Sequence, residues 1–250
     1  MMKKLLFILA ILLACSGTSY AACSSTSIGN GMTCVQVVAC QSTTSAVCTF
    51  GSNNTSGNTI IAMCNTGTAV TPSVADSRNS YTTKLNVSEV SFYKTWMAEA
   101  DSIGSGANTV TFTVSNMADC FAIEISGLQA SAFDQSASNG NLSAGTTLTA
   151  GPTGTTTKAY EVAIVSWQAG AQPAVSTGYT QISGSGLYNF EEVDFMNVTS
   201  TGTVSANSTM SSSVYGGAVF TLIASSQPSS SGGAGIGGKA GIGGKAGTGD

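Results

Sequence analysis

Residues 109–114 read Thr-Val-Thr-Phe-Thr-Val, so apolar and hydroxyl side chains alternate without a break. Successive side chains of a β-strand point to opposite faces, and this run therefore predicts an antiparallel strand with one buried and one wet face. Residues 118–126 repeat the pattern through Phe121, Ile123 and Ile125. Further strand-like runs fall at 34–40, 46–50, 59–64, 79–85, 90–98, 160–167, 188–195, 202–208 and 214–224, separated by clusters of Gly, Asn and Ser. No stretch of ten residues has clean helical periodicity with caps. Only 8% of the chain is charged, against about 25% in ordinary soluble domains, which also removes the i,i+4 ion pairs that support surface helices. The expected fold is all-β: an antiparallel two-sheet β-sandwich, jelly-roll-like.

Residues 1–21 have the layout of a secretory signal. Lys3 and Lys4 precede the ten apolar residues Leu5 to Ala14, and Ser19-Tyr20-Ala21 offers small residues where a signal peptidase reads, placing the mature start at Ala22. Ten apolar residues are too few for a membrane span. Leu12-Leu13-Ala14-Cys15 resembles a lipobox, and cleavage there would leave a lipid anchor on Cys15. The expected location is secreted or at the cell surface, with a periplasmic or outer-membrane lipoprotein as the alternative. Residues 22–227 form the expected sandwich domain. Residues 228–250, with Ala-Gly-Ile-Gly-Gly-Lys twice, read as a flexible tail because such Gly density opposes ordering.

Setting Cys15 aside leaves Cys23, Cys34, Cys40, Cys48, Cys64 and Cys120, an even set that an exported chain would oxidise to disulfides. Cys40 and Cys48 flank a short polar turn symmetrically and are expected to face each other across a hairpin. The other pairings stay open.

Several function classes fall away on composition. The net charge of −4 gives no basic footprint for nucleic acid. With no His, the commonest general base and most zinc sites are gone. The acidic run Glu191-Glu192-Val193-Asp194 puts Glu192 and Asp194 on one strand face, the pattern of a jelly-roll glycosidase, but no proton donor accompanies them. Trp167 and Tyr179 border a polar loop and are the aromatics best placed to stack on a saccharide; core packing is the competing reading of Trp167 and the favoured one of Trp96. Asp76, Asp101, Asp119 and Asp134 lie in or near turns and would suit a structural calcium, although no Asp-x-Asp-x-Asp loop is present. No other cofactor is expected.

A series of short motifs resembles a largely uncharacterised family of exported bacterial β-sandwich modules. The series runs Gly57-Asn58-Thr59-Ile60-Ile61, Asp76-Ser77-Arg78-Asn79-Ser80-Tyr81, the strand 106–113, Ile123-Glu124-Ile125-Ser126-Gly127, Asp134-Gln135-Ser136-Ala137, Gly178-Tyr179-Thr180 and Ser200-Thr201-Gly202-Thr203. The resemblance implies an extracellular jelly-roll-like sandwich and brings no catalytic residue. Together with the composition, it leads to the expectation of a non-enzymatic structural or adhesive module whose partners are polysaccharide or other surface proteins. A carbohydrate-binding module and a glycosidase-like jelly roll are the alternatives.

Overall fold

A computed structural model describes residues 20–21, 23–67, 70–184 and 190–227. The apolar stretch Leu5 to Ala14, Cys15 and the tail 228–250 lie outside the described residues, and of the expected signal 1–21 only Tyr20 and Ala21 are described. Fifteen strands form: β1 (Tyr20–Ala21), β2 (Ser24–Gly29), β3 (Met32–Ser42), β4 (Ser45–Thr49), β5 (Thr59–Thr66), β6 (Ser73–Ala75), β7 (Thr82–Val90) and β8 (Tyr93–Ala100), then β9 (Thr109–Thr113), β10 (Ala118–Ser126), β11 (Leu128–Ala150), β12 (Glu161–Ala169), β13 (Thr180–Gly184), β14 (Phe190–Val198) and β15 (Ala206–Ala224). Among the described residues no helix is long and apolar enough to cross a membrane.

The strands make three open antiparallel sheets rather than two. Sheet A runs β1-β13-β14-β12-β15-β11, sheet B runs β2-β3-β10-β5-β8-β7, and sheet C runs β4-β9-β6. Sheet B lies in the middle. Its Ile61, Met63, Phe121 and Ile123 pack against Val162, Ile164, Val193 and Phe220 of sheet A. On its other face, Ala62, Cys64, Trp96 and Ala122 pack against Ala46, Cys48, Val110 and Phe112 of sheet C. A third core covers the far face of sheet A, where Val165, Trp167 and Val219 meet Leu148, Ala206 and Met210.

This layering corrects one expectation. The alternation in strand β10 predicts a wet face, yet nearly all of the strand is buried, because both of its faces meet a sheet. The small residues Ala118, Cys120 and Ala122 face sheet C, where larger side chains from the partner sheet fill the space. Strand β9 follows the expectation: Val110 and Phe112 are buried, while Thr109 and Thr113 remain exposed.

All six cysteines pair, as Cys23–Cys34, Cys40–Cys48 and Cys64–Cys120. The Cys40–Cys48 pair forms as expected, but not across a ladder. Strand β3 belongs to sheet B and β4 to sheet C, so the bond joins two layers where the chain crosses between them. Cys64 and Cys120 are directly opposite on neighbouring strands, with Cα atoms 4.1 Å apart. Trp96, also opposite Cys64, is core as favoured.

Strand β11 has no counterpart among the strand-like runs of the sequence. Its composition, rich in Ser, Ala, Asn and Gly, shows no alternation, and it pairs along one side only, with β15. Four register shifts interrupt that ladder. The ribbon brings Leu148, Ala150, Ala206 and Met210 into the core over sheet A.

Candidate functional site

The four residues singled out for ligand binding come together. Glu192 lies opposite Trp167 and Asp194 opposite Val165 on the β12–β14 ladder, so both carboxyls share the outer face of sheet A with the indole. Residues 170–179 lie over them. The Asp194 carboxylate accepts from the Ser176 amide at 2.7 Å, and Trp167 Nε1–H donates to Ser176 Oγ at 2.8 Å. Gln181 Nε2 donates to Glu192 Oε1 at 2.6 Å. Tyr179 donates its hydroxyl to the Ser205 carbonyl at 3.1 Å.

The cluster is closed, which corrects the stacking reading. Trp167 has no solvent exposure, Tyr179 keeps 9%, and Glu192 and Asp194 are buried. The indole packs edge-on against Tyr215, with ring centroids 6.2 Å apart. It also crosses Gly217, where any Cβ would overlap the ring. An aromatic platform facing solvent is therefore not what Trp167 and Tyr179 build.

Burial, then the adjacent Asp194 carboxyl, pushes Glu192 up to about 9. At neutral pH Glu192 therefore holds its proton. That arrangement has the raised acid a glycosidase needs. Its members are buried, and two shallow grooves on the described surface, about 480 Å³ beside Thr49, Asp76 and Asn108 and about 430 Å³ beside Ile28, Thr180 and Asn197, are lined by none of the four residues.

The aspartates considered for calcium are dispersed. Asp76 is ringed by the amides of Arg78 and Asn79, the Asn79 and Asn108 carboxamides and the Tyr81 hydroxyl. These donors hold its carboxyl below the usual range, against the effect of its partial burial. Asp101 accepts from the Ser131 amide, and Asp134 from the Thr157 amide. Asp119 lies between sheets A and B beside Glu191. Among the described residues no group of three or more His, Cys, Asp or Glu side chains is arranged to hold a metal ion.

Two hubs stand on motif residues whose roles the sequence did not reveal. One is Asp76. The other is buried Glu124, which accepts from Gln36 Nε2 at 2.6 Å, Asn54 Nδ2 at 2.7 Å, the Thr55 amide at 2.8 Å and Asn58 Nδ2 at 2.6 Å. The Gly-Asn and Ile-Glu-Ile motifs thus meet at one carboxylate, and the Asp76 turn meets the 106–113 strand at the other. Both fasten loops. Comparison with protein-family models, with curated proteins and with solved structures yields no match to this chain.

Proposed function

We propose that the chain is a non-enzymatic exported module that works by structure and adhesion, at the cell surface or in the extracellular space. The observation that carries this reading is the contrast between its interior and its outermost sheet. The acids and aromatics able to do chemistry are turned inward and engaged with one another or with loops. The outward face of sheet C presents Ser45, Val47 and Thr49 beside Thr113, Thr111 and Thr109, an uncharged array of hydroxyls and methyls. Such a face meets neutral, hydroxyl-bearing surfaces without desolvating a charge.

The jelly-roll-like kinship with exported modules, the signal at residues 1–21 and the alternative anchor at Cys15 belong to the same proposal. The partner is a polysaccharide or another surface protein. Beads coated with the native protein should adhere to immobilised polysaccharide or to cells, and the variant Thr111→Lys/Thr113→Lys should lose most of that adhesion at an unchanged Tm. Equal adhesion by the variant would refute the role of sheet C, and release of reducing sugar from a glucan by the native protein would refute the non-enzymatic reading.

A further inference from the structure

The interface between sheets A and B is not apolar throughout. On sheet B, register aligns Ala39, Phe121, Met63 and Met97 in one row, and the next row reads Gln41, Asp119, Asn65 and Thr95. Strand β12 of sheet A follows the same change. Its inward positions run Val162, Ile164, Ser166 and Gln168, and Ser166 donates to Asn65 Oδ1 of sheet B at 3.1 Å. Glu191 lies directly opposite Gln168 and alternates with inward-facing Val193, so both point into this polar layer. Glu191 reaches across the interface to Asp119 and Asn65.

Gln168 is fully buried, yet neither end of its carboxamide has a hydrogen-bond partner within the protein. Gln41 Oε1 and Glu89 Oε2 are likewise unpartnered, and Glu89 binds the Thr95 amide at the margin of the layer. Leaving a buried carboxamide without partners is costly, and a bound water or ion is one of the ways in which native interiors satisfy such groups. The atoms here are mostly oxygens. Two carboxyls face each other, and Lys94 lies on the opposite face of β8 with its Nζ on Thr71.

We propose that this layer between sheets A and B is a binding site for a hard divalent cation of the calcium class, held by the Asp119 and Glu191 carboxylates and completed by the Gln168 carboxamide oxygen. Its donor set is two acids and an amide, all oxygen, which suits calcium.

The test uses the native full-length exported protein, dialysed against EGTA and melted at pH 8 with and without millimolar CaCl2. Calcium should raise the Tm by several degrees. Glu191→Gln should abolish the calcium response while folding at least as well in EGTA, since the isosteric carboxamide never has to carry a charge in the buried layer. Glu192→Gln, on the opposite face of sheet A, should keep the response. A native Tm at pH 8 indifferent to calcium overturns the proposal, as does a response that survives in Glu191→Gln.

Discussion

Single side chains hold the loops of this protein, and two positions show how. Glu124 is buried and accepts four donors from β3 and the segment 54–58. Glu124→Ala strands those donors in a dry site, and the expected loss is about 3–5 kcal/mol of unfolding free energy in urea titration. Gly217 lies opposite Trp167, and the indole occupies the space where a Cβ would stand. Gly217→Val forces the ring outward, costing about 1–3 kcal/mol and shifting tryptophan emission to longer wavelength. Neither role was legible from sequence. Both motifs were visible as strings, but a strand pattern does not say which distant carboxylate a carboxamide will meet.

Strands, by contrast, announced themselves where one face is wet or an apolar run is unbroken. Strand β9 was readable from its Thr-Val alternation, and β5, β8 and β12 from dense apolar composition. Strand β11 was not, because its Ser, Ala and Asn side chains border sheet A and its stability comes from pairing with β15 rather than from its own pattern. The third sheet was hidden for a related reason. Alternation reports that a face is covered but not what covers it, so two sheets and three give the same signal. The disulfides differ in what they constrain. Cys64–Cys120 spans 56 residues and Cys40–Cys48 spans 8. Loop-closure entropy then assigns about 4 kcal/mol to the first and about 2.5 kcal/mol to the second. Paired Cys→Ala variants, compared by denaturant midpoint, should rank in that order.

For the molecule as a whole, the unusual quantity is how its acids are paired. Glu99 with Asp101, Glu161 with Asp134, Glu191 with Asp119 and Glu192 with Asp194 are carboxyl–carboxyl neighbours, and burial raises each glutamate. Among the described residues the ion pair is Lys84 with Glu99, at 3.5 Å. Glu89 is also raised by burial, to about 7. A carboxyl raised in the folded state holds its proton more tightly there than when unfolded. Its stabilisation is complete below the unfolded value of 4.5 and disappears as pH climbs through about 7 for Glu89 and about 9 for Glu192. Asp76 acts in reverse, since its lowered carboxyl stabilises above 3.8 and that share is lost in stronger acid. In chelator, the Tm should be highest near about pH 4–5 and fall steadily towards pH 9, and Glu192→Gln should flatten the fall at its alkaline end.

The position of sheet B also sets a timescale. Its inner strands β5 and β10 have a ladder on each side and a layer above and below, so local fraying gives deuterium no route to their amides. Only whole-molecule opening exposes them, and their exchange rate reads out the global unfolding equilibrium. The short border strand β6 should instead label within the first moments of transfer to heavy water.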